Sequence, residues 1–412
     1  MIPLAVPDLS GNEALYLQEC IRSGFVSSVG PFVVRLEGMV ATIAASAAAV
    51  ATSSGTTGLH AALTAVGVGR DDLVIVPALT FIASANAVAH CGADPWLMEI
   101  DPVSWTLDAD RLAETLESSA ERRETDGRGG ERDEPGSSKA TQERVIHRQS
   151  GRRVAAIMPV HTLGAAADME KIVAVAHSWG LPVVADGAAA LGSLYRGKPL
   201  GKSGADLTVF SFNGNKTVTA GGGGAVAGDD LPLLALVKHL TTTARVGEDY
   251  DHDRVGFNYR MTNLQAAVGC AQLERLPALL AAKRRIRAEY DAVLSEIPGL
   301  SPFPDPAWAT GGCWLSGLFD HTTREPSDLA DKRQALRREG VDARPFWKPI
   351  HLQPPYRQAP RTDLGHTEAI WWRILTLPSS ANLAAEEMAQ VIASVRKIWH
   401  SLRVDAGETP NR

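Results

Sequence analysis

The sequence predicts an α/β chain with a mostly parallel central sheet, followed by a smaller C-terminal α+β domain. Two observations carry that expectation. From about Ser27 to Leu231, short apolar runs alternate with Gly/Ser/Asp turns and Ala-rich helical stretches, the pattern of βαβ units whose sheet is covered on both faces. After Leu231 the apolar period lengthens to that of amphipathic helices. The chain length of 412 residues adds a third, because domains of roughly 150 residues give two or three of them and a core large enough to need no staples.

Residues 1–26 open as MIPLAVPDLSG, without a basic leader and with two early prolines, and are read as an N-terminal arm. Residues 27–235 form the expected large domain. Its strands are AAAVATSSG, LVIVPALTF, PWLMEID, VAAIMPVH, LPVVADGAA, LTVFSFN and GGAVAG. One segment breaks the alternation: between Glu121 and Arg153 seven acidic and nine basic residues leave only Ala140, Val145 and Ile146 apolar. Such a stretch cannot bury a core and is expected to be an exposed loop or flap. Residues 236–412 form the expected small domain. It begins with TNLQAAVGCAQLERLPALLAAKRRIRAEYDAVLSEI, read as two helices broken at Pro277, and ends in the helical tail LAAEEMAQVIASVRKIWHSL.

Composition narrows the function. Hydrophobic residues are 45% and charged residues 21%, which excludes a chain that is disordered or coiled-coil as a whole. The net charge of −6 gives no field for gripping nucleic acid or an anionic membrane, so neither is expected as a partner. Cys20, Cys91, Cys270 and Cys313 form no CxxC pair, so no zinc ribbon or disulfide framework is expected. No apolar run is long enough to span a bilayer, and the chain is expected to be cytoplasmic.

In open α/β sheets the ligand lies beyond the carboxyl ends of the strands. The strand VVAD stops at Asp186 and passes into small residues; the strand LTVFSF runs into Asn213, Gly214, Asn215 and Lys216, with Gly221 to Gly224 close behind. A phosphate loop of the Walker type does not fit, because Phe210 and Asn215 stand where its glycines would be. A lysine that forms an imine with pyridoxal phosphate fits better, since that cofactor also needs an acid for its ring nitrogen, a surface for its ring and donors for its phosphate. Asp186 is the candidate acid and Phe81, in PALTFIAS, the candidate ring face. Thr56 and Thr57, in ATSSGTTGLH, stand at a strand-to-helix turn suited to a phosphate, and Ser211 adds a hydroxyl.

This order of motifs resembles one family across nearly the whole chain. SSGTTGLHAAL, PALTFIASANAV, PVHTLGAAADM, ADGAAALGS, SFNGNK with GGGG, GFNYRMTNLQAA and RPFWKPIHLQP are similar to the DegT/StrS family of pyridoxal-phosphate-dependent nucleotide-sugar aminotransferases. The resemblance implies the fold type I, aspartate-aminotransferase-like architecture and a homodimer whose active sites are shared between subunits. It implies Lys216 as the imine-forming and proton-moving residue, Asp186 at the ring nitrogen, Phe81 on the ring and Thr56, Thr57 and Ser211 at the phosphate. His161, in PVHTLG, falls near the ring, and Asn258, in GFNYR, reaches the phosphate from the partner.

Two departures stand out: Ala189 occupies a position that is often Gln, Glu or His, and GGGG replaces a common GEGG. With SFNGNK, RPFWKPIH and the charged insertion, the chain resembles the subgroup linked to legionaminic-acid-type and bacillosamine-type sugars. That implies amination at C4 of a UDP-linked 4-keto-6-deoxy-N-acetylhexosamine, with L-glutamate as donor. A pocket that takes both anions in turn needs cations, and Arg260, Arg344, Lys348 and His351 are the candidates. The alternatives are a pyridoxal-phosphate-binding regulatory relative without turnover and a C3-aminotransferase of a dTDP-keto-sugar. A sugar dehydratase of the same fold is opposed by Lys216, since histidine replaces the lysine there.

Overall fold

The computed structural model describes residues 1–125 and 142–407. Helices α1 (Glu13–Ser23) and α2 (Pro31–Ala44) precede β1 (Ala48–Thr52), α3 (Gly55–Ala65), β2 (Leu73–Pro77), α4 (Ile82–His90) and β3 (Asp94–Met98). Then come α5 (Ala109–Ser119), the ribbon strands β4 (Ala120–Thr125) and β5 (Gln142–His147), β6 (Val154–Ile157), α6 (Met169–Trp179) and β7 (Val184–Asp186). A short hairpin of β8 (Leu194–Tyr195) and β9 (Lys198–Pro199) leads to β10 (Leu207–Ser211), β11 (Gly224–Gly228) and α7 (Leu231–Thr241).

Among the described residues, seven strands make one twisted layer in the order β1-β11-β10-β7-β6-β2-β3. Its two hydrogen-bonded halves are joined by the parallel bridges Ile157 to Val183 and Val160 to Asp186. Only β11 is reversed, being antiparallel to both β1 and β10, so the sheet is mostly parallel. These are the seven strands expected from the sequence. They are apolar throughout because both faces are covered. Val50, Val74, Val76, Leu97, Val209 and Val226 pack into one core, while their neighbours Ala51, Leu73, Ile75, Trp96, Phe210 and Ala225 pack on the other side.

The charged segment 121–153 departs from the expected loop. Residues 120–125 pair antiparallel with 142–147, and Val145, Ile146 and His147 are buried against the large domain. Arg152 holds the carbonyls of Asp71 and Asp72, and Arg153 pairs with Asp72, so the end of the segment is pinned before β6 begins. Charge-rich flanks can pair as strands when one residue in two finds an apolar neighbour or an ion partner. The middle of the expected flap, 126–141, lies outside the described residues.

Beyond α7, the strands β12 (Arg245–Val246) and β13 (Asp251–His252) form a small hairpin before α8 (Asn263–Glu274) and α9 (Leu276–Glu296). The helix break expected at Pro277 falls just ahead of it, with Pro277 in the first turn of α9, where a missing N–H costs nothing. The sequence division at 235/236 lies inside α7, whose Leu234 and Val237 belong to the large core. Helix α8 also packs there, against α1 and α2, and a Cβ at Gly269 would come 2.5 Å from Leu36 Cδ1, so glycine sets that close crossing. The change of core comes within α9: Leu276, Leu279 and Leu280 join the large domain, and Ile286, Tyr290 and Leu294 join the small one.

The small domain carries an antiparallel sheet in the order β14 (Leu300–Pro302), β16 (Ser316–Asp320), β18 (Ile374–Leu377), β17 (Arg344–Pro345), with a short β15 (Ala309–Thr310) on the β8 hairpin. Helices α10 (Pro326–Arg338), α11 (Gly365–Ile370) and α12 (Ala385–Gly407) complete it. The expected N-terminal arm is tied to this domain: Ile2 exchanges backbone hydrogen bonds with Gly340 and Asp342, and Ser379 N–H donates to Leu4 O. No helix among the described residues is long and apolar enough to cross a membrane.

Asp320, fully buried, accepts from Lys332 Nζ at 2.6 Å and from Trp399 Nε1 at 2.8 Å. Removing the lysine would strand a carboxylate in the core. Lys332→Met is therefore expected to destabilise the protein by about 3–5 kcal/mol in urea unfolding. Lys202→Met, which breaks an exposed pair with Asp229, should cost less than about 1 kcal/mol.

Candidate active site

Five strand ends meet at one cavity of about 490 Å³. Each strand end delivers a different chemistry, because a parallel sheet places all its carboxyl ends on one edge. The β1 end gives Ser54, Gly55 and Thr56; the β2 end gives Thr80 and Phe81; β6 leads to His161; β7 ends on Asp186; and β10 ends on Ser211 before the turn that carries Lys216. The small domain closes the cavity with Trp314, Leu315, Arg344, Phe346 and Trp347, and the arm adds Leu4.

Asp186 is buried. Its Oδ2 accepts from Ser84 Oγ at 2.7 Å, its Oδ1 accepts from Ala188 N at 3.0 Å, and Thr80 Oγ1 lies 2.9 Å from the Ser84 hydroxyl. Burial pushes the carboxyl above its ordinary range, while Ser84, the Ala188 N–H and the Lys216 charge hold it down. The Lys216 amine is pushed down to about 8 by burial, with Asp186 acting in the opposite direction. Lys216 sits in a turn closed by its own N–H to Asn213 O at 3.0 Å, and its Nζ lies 3.5 Å from the centre of the Trp314 ring.

His161 is 1% exposed, and burial pushes its imidazole down to about 4, so it is neutral at neutral pH. Its Nδ1 accepts from the Ala167 N–H at 3.1 Å, which puts the ring proton on Nε2. That Nε2 is buried without a partner and belongs to a residue lining the cavity. A donor left unpaired there favours a ligand that accepts.

The turn into α3 shows how its sequence serves the cavity. Ser54 caps the helix and Thr57 closes the capping box: Ser54 Oγ accepts from Thr57 N at 3.1 Å, and Thr57 Oγ1 accepts from Ser54 N at 3.0 Å. The first-turn N–H groups of Gly55 and Thr56 are those that a helix leaves without internal acceptors, and they suit an anion. A Cβ on Gly55 would come 2.9 Å from the Ser211 Cβ, so only glycine brings this turn against the Ser211 hydroxyl. These groups fit pyridoxal phosphate: the α3 turn and Ser211 for its phosphate, Asp186 for its ring nitrogen, Phe81 for its ring and Lys216 for its aldehyde.

Not every expected residue reaches the cavity. Lys216, Asp186, His161, Thr56, Phe81, Ser211 and Arg344 line it. Thr57 does not, because its hydroxyl is consumed by the cap. Asn258 and Arg260 are exposed on a stretch that bridges to Thr242 and Thr52, beside β1 rather than in the cavity of their own chain. Lys348 is exposed and outside the lining, and His351 is buried away from it, with Nε2 3.0 Å from Glu368 Oε1. In RPFWKPIH the strand β17 ends at Pro345, so Arg344, Phe346 and Trp347 face the site while the following 3-10 turn carries His351 into the domain below. Ala189 presents only a methyl group to the cavity.

Sequence reasoning missed Ser84 and Trp314. Ser84 stands three residues after Phe81, in the first turn of α4, and that spacing at a strand end was the available signal. Trp314 had none, since it arrives from a distant part of the chain.

With this geometry in view, comparison with known proteins is direct. Residues 7–123 and 135–396 match the model of the DegT/DnrJ/EryC1/StrS aminotransferase family. The chain is 37% identical over 410 residues to the GDP-perosamine synthase of Caulobacter vibrioides, covering 96% of this chain and 98% of that protein. It is 33% identical to the enzyme of the same name from Escherichia coli O157:H7, covering 97% of this chain and 98% of that one. Among solved structures, the aminotransferase TlmJ of Streptoalloteichus hindustanus superposes with a TM-score of 0.83 at 26% identity, covering 98% of this chain and all of that one. DesV of S. venezuelae gives 0.81 at 27%, covering 96% and 99%.

An imine requires a neutral amine that can lose its protons, which a guanidinium does not supply. Lys216→Arg is expected to leave the fold intact by circular dichroism while no cofactor survives borohydride reduction and denaturation on the protein. In the native chain, capture of pyridoxal phosphate by cofactor-free enzyme should accelerate as pH rises through about 8, where the Lys216 amine becomes neutral. A rise that began only near the ordinary lysine range would contradict the burial argument. The sequence match, the shared fold and the converging lysine, aspartate and histidine agree: this chain belongs to the DegT/DnrJ/EryC1/StrS family and is a pyridoxal-phosphate-dependent aminotransferase.

Proposed function

We propose that this aminotransferase moves the amino group of L-glutamate to C4 of a keto sugar carried on a nucleoside diphosphate. The observation that carries the reading is the shared cavity in which Lys216, Asp186 and His161 converge, with Arg344 at its mouth. When bound, pyridoxal phosphate supplies a ring that withdraws electrons from the carbon bearing the amine. The chain's own residues then divide the remaining work. Lys216, whose amine burial lowers to about 8 so that a large share is neutral near that pH, takes and returns the proton at that carbon. Asp186, whose carboxyl burial raises while the donors Ser84 and Ala188 oppose that rise, is the acid placed to share a proton with a facing nitrogen. His161 offers its Nε2 proton as a fixed hydrogen-bond donor.

Arg344 supports the dicarboxylate donor. It lines the cavity, is exposed at its mouth and is held by Asp342 at 2.9 Å, a pairing that orients the guanidinium without burying it. Phe346 and Trp347, with rings 4.6 Å apart, and the half-exposed Phe81, 5.9 Å from Trp347, line one aromatic side of the cavity and reduce the water that reaches the reacting carbon. The nucleotide is the open choice between two bases. Relatives at 31–37% identity named for GDP-perosamine favour guanosine over the uridine expected from the subgroup resemblance.

Enzyme incubated with glutamate and a panel of GDP-, UDP- and dTDP-linked 4-keto and 3-keto sugars is expected to release 2-oxoglutarate with the GDP-4-keto sugar. NMR should place the new amine at C4. Preference for a UDP sugar would restore the uridine reading, and amination at C3 would overturn the regiochemistry.

The exposed Asn258 supports an active site completed by a second subunit, since a polar side chain on the β1 edge reaches nothing in its own cavity. Mixing inactive Lys216→Ala with Asn258→Ala is expected to restore part of the activity, because one site of each hybrid dimer keeps both residues. Hybrids that form yet stay inactive would place Asn258 outside the partner's site.

A further inference from the structure

Among the described residues, the Lys216 amine makes no hydrogen bond and no ion pair within 4 Å. What it does meet is the face of Trp314, at 3.5 Å from Nζ to ring centre. Asp186 shares the cavity, with each of its oxygens already accepting one hydrogen bond, from Ser84 and from Ala188. An ammonium over an indole face is attracted by the ring quadrupole, more strongly where water is excluded.

The ring is not free to move. Trp314 is 5% exposed, and its Nε1 donates to Asn215 O at 2.6 Å, the carbonyl immediately before Lys216. Its own carbonyl accepts from Lys283 Nζ at 3.0 Å, and that lysine, buried on α9, also donates to Ser379 O. Among the described residues Lys283 has no carboxylate partner, so its protons are spent on fixing these two chain segments. The indole is thus clamped from below by the small domain and from the side by the turn that bears the lysine.

We propose that Trp314 is a positioning residue for the reacting lysine: its clamped indole is the seat on which the Lys216 amine rests whenever it is not joined to the cofactor. The inference rests on the reading of Lys216 as the cofactor-bearing lysine. An aminotransferase frees that lysine in the middle of every cycle, and a long flexible ammonium would otherwise search for a carboxylate. Among the described residues Asp186 is the one carboxylate lining this cavity, and pairing with it would take the acid away from the ring nitrogen. The indole holds the charge without neutralising Asp186. It also ties the small domain to the lysine, because the ring is delivered by the chain between β15 and β16.

The other titratable and charged groups facing the amine are Asp186, His161 and Arg344. None is altered by changing Trp314, so a shift in the lysine reports on the indole. Burial already lowers the Lys216 amine to about 8, and the ring opposes that by favouring the charged form.

The test uses cofactor-free enzyme. Competitive labelling with acetic anhydride across pH 6–10, read by mass spectrometry of the peptide containing Lys216, gives the titration of that amine alone. Trp314→Leu is expected to shift it downward by about half to one pH unit and to increase its labelling at neutral pH. A leucine variant that folds and titrates as the native protein does overturns the proposal. Should the leucine variant fail to fold by circular dichroism, Trp314→Phe decides, its weaker ring face giving a smaller downward shift. An unmoved or raised Lys216 in that variant overturns the proposal as well. Borohydride reduction of loaded native enzyme, with peptide mapping, separates the two readings: label on another lysine would overturn the active-site assignment without touching the labelling result.

Discussion

The structure depends on holding a carboxylate and an amine out of water at the same sheet edge without letting them pair. Burial raises Asp186 and lowers Lys216, so each is pressed toward its neutral form. Left to themselves they would relieve that cost by forming an ion pair. Instead Ser84 and the Ala188 N–H satisfy the carboxylate, and the Trp314 face meets the amine. Both groups are left facing the cavity and not each other, open to a ligand lying between them, and much of the surrounding architecture supplies those compensating contacts.

The compensating groups come from different levels of the fold. Ser84 needs only the first turn of α4 at the end of β2. The Gly55–Thr56 turn needs a glycine to approach Ser211, and a serine cap that occupies Thr57 so that neighbouring N–H groups stay free. Trp314, Arg344 and Trp347 need a second domain. Helix α9 is the element that fixes that domain in place, since one end packs in the large core and the other in the small one. Lys283, midway along it, converts this packing into two hydrogen bonds beneath the cavity. The N-terminal arm adds a third tie, pairing with the small domain while Leu4 reaches the cavity wall.

How far the sequence carried this can be followed residue by residue. Asp186 and Ser211 end apolar strands, and His161 and Lys216 follow such ends by four and five residues, so all four were legible: a parallel sheet gathers its strand ends on one edge. Thr57 was grouped with the phosphate turn because Ser and Thr at a helix start have two uses, capping and ligand binding, which the string SSGTTG does not separate; the structure gives its hydroxyl to the cap. His351 and Lys348 were grouped with Arg344 by nearness in sequence. A strand of two residues followed by a tight turn sends them elsewhere.

The sequence alone determined the seven strands, the glycine run beside the lysine turn, and the family, because these rest on local periodicity and on motif order. The tertiary structure decided what local pattern cannot hold. It turned the flanks of the charged segment into a ribbon, since Val145 and Ile146 bury only once β6 and α6 are in place. It placed the change of core within α9 rather than before α8, because helix packing against α1 and α2 involves residues some 230 to 260 positions apart. It set Trp314, about a hundred residues from Lys216 in sequence, over the amine. Contacts of that separation are fixed by how two cores meet, and no repeat, cap or spacing in the chain records them.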